Sequence, residues 1–185
     1  MAGRRTDTKE RIQQVALELF AERGYDKTTL QEVAERLRIT RPALYYHFRT
    51  KEAILVGVVD RLVDSIDELV SWARRQPMTP ESKKEILRRI AELLADQWRP
   101  LLRFAQVNQG VMREVPAGER MQQGVLSMLA LLVEPEASPV RRFEARLAVL
   151  AVIAGNVPFL ADADVPEAER MAVALEVAGR LVSDG

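Results

Sequence analysis

The chain has 185 residues, of which 48% are hydrophobic and 29% are charged, which predicts a globular protein with a sizeable apolar core. It contains no cysteine and a single histidine, so disulfides, thiol nucleophiles and histidine-rich metal centres are excluded. The net charge is zero, but it is unevenly distributed: residues 1–51 hold 11 Lys and Arg and 7 Asp and Glu, whereas residues 52–185 hold 16 Lys and Arg and 20 Asp and Glu. A basic N-terminal segment followed by an acidic remainder favours a partner that carries phosphate, with chance fluctuation as the alternative.

Helical periodicity runs through nearly the whole sequence, and no stretch alternates with period two, so we expect an all-α fold. The first helix is predicted to begin near Thr6 or Asp7 and to end at Gly24. Its apolar residues recur at the spacing of one buried face: Ile12, Val15, Ala16, Leu19 and Phe20.

The next two helices carry clear start signals. Thr29 and Glu32 form a predicted capping box at the start of a short second helix. After a tight turn at residues 38–40, Thr40 is predicted to cap a third helix that has Pro42 in its first turn. Two short helices joined by such a turn are the arrangement of a helix-turn-helix motif.

The third helix has an inward face and an outward face. Leu44 and Phe48 fall on one side and are predicted to be buried, which turns Tyr45 and Tyr46 outward. Two adjacent exposed tyrosines indicate a face that a partner covers. Tyrosine hydroxyls donate to phosphate oxygens, and Arg41, near the helix N-terminus, matches guanine O6 and N7, so double-stranded DNA suits this face.

A long fourth helix follows, capped by Thr50 and predicted to run to about Arg75. The backbone amides at the capped helix starts, Thr29 and Lys51, offer sites for phosphate, and the Lys51 side chain adds positive charge.

The segments 29–34 (Thr-Leu-Gln-Glu-Val-Ala) and 40–53 (Thr-Arg-Pro-Ala-Leu-Tyr-Tyr-His-Phe-Arg-Thr-Lys-Glu-Ala) resemble the DNA-binding domain of the TetR (tetracycline-repressor-like) family. The resemblance covers the first quarter to third of the chain. It implies a homodimer in which three N-terminal helices bind DNA and about six C-terminal helices dimerise and hold a small-molecule inducer. We therefore divide the chain into a helix-turn-helix domain, 1–51, and a helical ligand-binding and dimerisation domain, 52–185.

Carried over by position, the resemblance assigns roles to individual residues. Phosphate contacts at the start of the second helix fall to Thr28 and Thr29. Base contacts fall to Arg41, Pro42, Ala43 and Tyr45, and backbone contacts to Tyr46, His47 and Lys51. For His47 a solvated surface position and a general base are the alternatives, although no nucleophile accompanies it. The family often has glycine where this chain has Arg38, which is a departure in the turn before the third helix.

The body is predicted to contain further helices at about 81–98, 100–114, 119–133, 140–160 and 166–182, separated by proline-containing breaks. The last two resemble the dimer-forming pair of the family, because the penultimate helix is apolar nearly all round and needs cover on more than one side. The predicted interface residues are Phe143, Leu147, Leu150, Ala151, Ala154, Leu175 and Ala178; burial in one monomer's core is the alternative.

A ligand cavity is predicted among the middle helices, for an uncharged, largely hydrophobic or aromatic inducer. The candidate lining residues mix apolar side chains with one amide, and plain core packing is the alternative for each: Trp98, Phe104, Asn108, Met112, Met128 and Phe159.

These observations predict a ligand-responsive transcriptional regulator, a repressor that binds a palindromic operator as a homodimer and is released by its inducer. As the resemblance implies, ligand would move the fourth helix and change the separation of two recognition helices that must enter major grooves about 34–36 Å apart, or a multiple of that. A helical-bundle hydrolase or transferase and a protein-binding adaptor are the competing classes.

The sequence also predicts where the protein works. No signal peptide follows Arg4 and Arg5, and the longest apolar run, 147–154, is too short to span a bilayer, so we expect a cytoplasmic protein with no membrane partner. We also expect no metal and no cofactor.

Overall fold

A computed structural model of the protein describes residues 2–95, 99–108, 111, 118–156 and 165–183, and only the backbone of residues 2–7, 99, 102, 106, 118, 119 and 167. Regular structure in these residues is helical, which confirms the predicted all-α class. The helices follow one another as α1 (Ala2–Arg23), α2 (Leu30–Leu37), α3 (Arg41–His47), α4 (Lys51–Ala73), α5 (Pro80–Leu93), α6 (Arg99–Val107), α7 (Gly118–Leu129), α8 (Pro139–Gly155) and α9 (Glu167–Ser183). Within the described residues, no helix combines the length and the apolar character that crossing a membrane requires.

The chain divides into two compact units, and the first comprises residues 1–62 and 100–121. It contains α1, α2, α3, the first half of α4, and α6. The predicted functional boundary after residue 51 stays a prediction. Large side chains from most of these helices meet in a core without solvent contact: Ile12, Leu19, Phe20, Leu44, Ile54, Leu55, Leu62 and Phe104.

Helix α1 begins earlier than predicted. It starts at Ala2 rather than near Thr6 or Asp7. Ala2, Arg4 and Arg5 are good helix formers and outweigh the unfavourable Gly3. At its C-terminus Gly24 adopts a φ of 89°, and its N–H donates to the Phe20 carbonyl at 3.0 Å, a helix-ending geometry that glycine takes without strain. The predicted apolar stripe faces the core, with Val15 half-buried and the others buried: Ile12, Ala16, Leu19 and Phe20.

The second unit comprises residues 63–99 and 122–185. Two of its helices start with proline directly after a hydroxyl cap. The Thr79 hydroxyl accepts the Ser82 N–H at 3.2 Å before α5, and the Ser138 hydroxyl accepts the Arg141 N–H at 3.3 Å before α8. Helices α4, α5, α7, α8 and α9 each contribute buried residues to this unit, among them Ile66, Ile86, Leu87, Ile90, Met128, Ala148, Val149, Val152 and Ala178.

Two helices end before their predicted limits. For α6, which ends at Val107, most of the remaining predicted range towards Glu114 lies outside the described residues. Helix α4 ends at Ala73, and α7 ends at Leu129, where the following turns bond three residues back. Residues beyond α5 and α8 that were predicted to be helical, 96–98 and 157–160, lie outside the described part of the chain.

Candidate nucleic-acid interface

The predicted capping box at the start of α2 is present. The Glu32 N–H donates to the Thr29 hydroxyl at 3.2 Å, and the Thr29 N–H donates back to Glu32 Oε2 at 2.7 Å. That backbone hydrogen bond, together with one from the Thr29 hydroxyl and the charge of Arg23, holds the pKa of Glu32 below its usual value. The exposed Thr29 therefore marks a fixed helix N-terminus, the kind of position at which phosphate binds.

The turn between α2 and α3 contains the departure from the family pattern. Arg38 adopts φ 55° and ψ 39°, the left-handed conformation that favours glycine, and its N–H donates to the carbonyls of Ala34 and Glu35. Thr40 then caps α3 by accepting the Ala43 N–H at 3.4 Å. The chain thus forms the expected tight turn, but the left-handed conformation of Arg38 lowers the stability of the folded protein.

Helix α3 has the two faces that its sequence predicts. Leu44 is fully buried and Phe48, directly after the helix, is 4% exposed. Tyr46 is 67% exposed, whereas Tyr45 is half-buried and lies under Arg41, whose guanidinium is 5.1 Å from the ring centroid and donates to the Tyr45 hydroxyl at 3.2 Å.

The remaining predicted contacts of α3 lie beside these. Pro42 and Ala43 are exposed, and the half-buried His47 packs its ring against the edge of Tyr46, with 5.3 Å between centroids. All four predicted base-reading residues therefore lie on one short helix, and three of them are exposed. Their contact with DNA stays a prediction.

Lys51 opens α4, where the Thr50 hydroxyl accepts the Ala53 N–H at 3.0 Å. The Lys51 ammonium donates to the Tyr25 carbonyl at 2.5 Å and lies 4.3 Å from the centroid of the Tyr25 ring. This lysine is half-buried and already held by the loop between α1 and α2, a partner that the sequence did not indicate.

Thr28 is placed differently from the expectation. Its side chain is 1% exposed, and its hydroxyl donates to the carbonyls of Gly24 at 2.9 Å and Leu19 at 3.3 Å. Because the hydroxyl closes the C-terminus of α1, it is turned away from the surface, and we correct its predicted phosphate contact: Thr28 supports the loop that leads into α2.

Two basic side chains near the helix starts were not singled out from the sequence. Lys27 precedes the start of α2 and Arg49 precedes the start of α4, and both are exposed. Their positions relative to the caps Thr29 and Thr50 are the sequence signal that could have identified them, since helix N-termini and cations together attract phosphate.

The predicted ligand residues fall into three groups. Phe104 is fully buried in the first unit, and Met128 is fully buried in the second. The Asn108 amide makes three hydrogen bonds to backbone groups of the first unit, so it is engaged within the protein. Trp98, Met112 and Phe159 lie outside the described residues.

The predicted dimer residues divide by helix face. On α8, Phe143 is 60% exposed and Leu150 is 44% exposed, while Leu147, Ala151 and Ala154 are half-buried. These residues share one side of the helix, opposite a core face formed by Ala145, Ala148, Val149 and Val152.

On α9 the exposed apolar residues are ones that the prediction did not include. Val173 and Val177 are 52% and 43% exposed, and Leu175 is half-buried. Ala178 is fully buried within its own chain, because it lies on the core face of α9 with Ala174, and its predicted interface role is corrected accordingly.

A groove of about 620 Å³ lies between α5 and α9 within the second unit. Leu87, Leu175 and Gly179 contribute to its lining, and none of the predicted ligand residues does. Two arginines at its rim, Arg88 and Arg180, already form ion pairs with glutamates of their own helices. Among the described residues, no group of three or more His, Cys, Asp or Glu side chains could hold a metal ion.

Residues 12–58 match the family profile described as "Bacterial regulatory proteins, tetR family". The chain is 34% identical over 97 residues to the HTH-type transcriptional activator FasR of Mycolicibacterium smegmatis. This match covers 51% of this chain and 43% of FasR. It is also 37% identical over 62 residues to IcaR of Staphylococcus aureus, a negative transcriptional regulator of the biofilm operon icaADBC. That match covers 34% of this chain and 33% of IcaR. The matched part is therefore less than half of each relative.

Solved structures of regulators share the fold over nearly the whole chain. AmtR of Mycobacterium smegmatis superimposes with a TM-score of 0.63 at 25% identity, over 96% of this chain and 87% of AmtR. A transcriptional regulator of Aquifex aeolicus superimposes with a TM-score of 0.64 at 19% identity, over 91% and 96% of the two chains. The TetR resemblance of the helix-turn-helix motif and the helical C-terminal domain are both confirmed by these findings.

Proposed function

Because its helix-turn-helix region belongs to the TetR family of bacterial regulatory proteins, we propose that this protein is a DNA-binding transcriptional regulator that binds a palindromic operator as a homodimer. One observation carries the proposal: α3 is fixed from behind by Leu44 and Phe48 and presents Arg41 and Tyr46 outward. A protein that regulates bacterial genes in this way works in the cytoplasm and needs no catalytic centre or cofactor.

The reading of DNA divides among the exposed residues. Arg41, Pro42, Ala43 and Tyr45 meet base edges in the major groove, with the Arg41 guanidinium matched to guanine O6 and N7. Phosphate contacts fall to Thr29, Tyr46, His47 and Lys51. In the free protein Arg41 rests on Tyr45, so the two side chains enter the groove as one preformed pair.

The apolar face of α8 supports the homodimer. Phe143 and Leu150 are large and exposed, and α9 carries two more exposed apolar residues, Val173 and Val177. Large apolar patches are rare on the surface of a monomer, and a two-fold axis places the same patch on both subunits. Two helices from each subunit would form a four-helix interface.

A repressor released by a small, largely hydrophobic inducer is the regulatory mode we propose. Among the relatives, IcaR is a negative regulator and FasR is an activator. Helix α4 contributes to both compact units, and a movement of α4 on inducer binding would change the separation of the two recognition helices, which must match grooves about 34–36 Å apart or a multiple of that.

The test is selection of bound duplexes from a random DNA pool by the whole protein. A palindromic consensus with half-sites about one or two helical turns apart supports a dimeric reader of DNA. Binding that is indifferent to salt would contradict the proposal and favour an adaptor whose tyrosine face meets a protein, since phosphate contacts weaken steeply as salt rises.

A further inference from the structure

Asn108, at the end of α6, is bonded to the loop between α1 and α2. Its Oδ1 accepts the Tyr25 N–H at 2.8 Å, and its Nδ2 donates to the carbonyls of Phe20 at 3.2 Å and Phe104 at 3.0 Å. Two of these three partners are more than 80 residues away in the sequence. The amide therefore joins two distant parts of the first unit through backbone groups.

Aromatic packing holds the same loop. The rings of Phe20 and Tyr25 lie edge to face with 5.0 Å between centroids, and Phe104 lies 5.9 Å from Phe20 and 6.0 Å from Tyr25. Phe20 and Phe104 are fully buried. Burial, and then the nearby charges of Glu52 and Asp26, raise the pKa of Tyr25, so its phenol stays neutral at physiological pH.

Lys51 engages Tyr25 from the other side. Its ammonium donates to the Tyr25 carbonyl at 2.5 Å and lies over the Tyr25 ring. One residue is thus gripped at its N–H by Asn108 and at its carbonyl and ring by Lys51. The ammonium also donates weakly to the Asp26 carbonyl at 3.5 Å, and because it has three donors, one N–H is left for a further acceptor.

We propose that Asn108 is a positioning residue for DNA binding: it fixes Tyr25, and Tyr25 holds the Lys51 ammonium at the start of α4 in readiness for a DNA phosphate. The proposal rests on the proposed function, since it takes the phosphate contact of Lys51 as given. The physical reason is entropy, because a free lysine side chain must be ordered when it binds, whereas one held by a carbonyl and a ring is already ordered.

A double-mutant cycle tests this order of action. The affinity of the wild type, Asn108→Ala, Lys51→Ala and the double variant for a short generic duplex is measured at several salt concentrations. We expect Lys51→Ala to weaken binding about tenfold and to lower the salt slope by about one unit. Asn108→Ala weakens binding about threefold in the wild type and has no further effect when Lys51 is already alanine.

Leu101→Ala is the matched control, because Leu101 is a buried residue of α6 that makes none of the Tyr25 hydrogen bonds. It loosens the helix without removing the amide, and affinity should stay at the wild-type value at a temperature where circular dichroism shows every variant folded. Unchanged affinity in Asn108→Ala, the same loss in both Lys51 backgrounds, or an equal loss in Leu101→Ala overturns the positioning role. A wild type without salt-sensitive DNA binding instead overturns the proposed function.

Discussion

Gly155, the last residue of α8, lies against Ala174 of α9 so closely that a Cβ atom on Gly155 would come within 2.6 Å of the Ala174 Cβ. The Arg170 carbonyl and the Met171 side chain flank the same point. Because backbone and a short side chain cannot move aside cheaply, we expect Gly155→Ala to lower the free energy of unfolding by about 1–3 kcal/mol. Urea denaturation measures the change.

Gly179 provides the control for that substitution. It lies inside α9, and a Cβ there would meet nothing within 4 Å. Gly179→Ala should therefore raise the free energy of unfolding by about 0.5–1 kcal/mol, because alanine is the better helix former. If the two alanine variants shift stability in the same direction, the close approach of α8 and α9 is wrong.

Much of the fold was predictable because the apolar residues follow the helical period and the caps are local signals. Thr29, Thr40 and Thr50 each accept an N–H three residues later, as their sequence context predicts. The inward pair of α3, Leu44 and Phe48, followed from its spacing alone. Helix ends were less predictable: α4 and α7 end before their predicted limits, in turns that bond three residues back.

The site residues show the same division. The exposed face of α3 could be predicted because, in a short helix, the helical spacing of the buried residues determines which side chains face solvent. The burial of Thr28 was not, because its hydroxyl serves a helix that ended several residues earlier. The engagement of Lys51 by Tyr25 and of Tyr25 by Asn108 joins distant segments, and no single-sequence pattern encodes such pairs.

Arg38 adopts the left-handed conformation with a φ of 55°. A residue with a side chain is strained there by about 1 kcal/mol, so Arg38→Gly should raise the free energy of unfolding by about 0.5–1 kcal/mol. Arg38→Ala removes the charge but keeps the strain, and its stability should stay near that of the wild type. Equal stability of the glycine and alanine variants in thermal and urea unfolding would contradict the strain.

The lowered pKa of Glu32 makes the capping box sensitive to pH. A carboxylate whose pKa is lower in the folded state than in the unfolded state stabilises the fold above its unfolded pKa, and that stabilisation is lost as the pH falls through the folded value. Glu32→Gln keeps an oxygen acceptor but does not titrate. The stability advantage of the wild type over Glu32→Gln should shrink as the pH is lowered from neutral into the acid range, whereas a difference that is constant with pH would rule out this linkage.

The apolar face of α8 predicts which substitutions separate the dimer. Phe143→Asp puts a charge on an exposed apolar surface, so it should leave the subunit folded and raise the dimer Kd at least about 100-fold, because two-fold symmetry introduces the charge twice. Arg142→Asp changes an exposed polar residue farther round the same helix from Phe143 and Leu150, and it should leave the dimer intact. Sedimentation equilibrium distinguishes the two, and a wild type that is monomeric at high concentration would contradict the interface.

Arg41 and Tyr45 form the preformed pair at the exposed face of α3, and each should be needed for operator selectivity. Arg41→Ala removes a contact in which the two arms of the guanidinium bind guanine, and Tyr45→Ala removes the ring on which Arg41 rests. Each variant should therefore reduce discrimination between operator and random DNA by about 1–3 kcal/mol. Circular dichroism and dimerisation should stay unchanged in both. Arg41→Lys is the informative control. It keeps the positive charge but loses the planar fork, so it should retain the salt dependence of binding and still lose selectivity. Footprints on the selected operator that are identical for the wild type and both alanine variants would show that α3 does not read the bases.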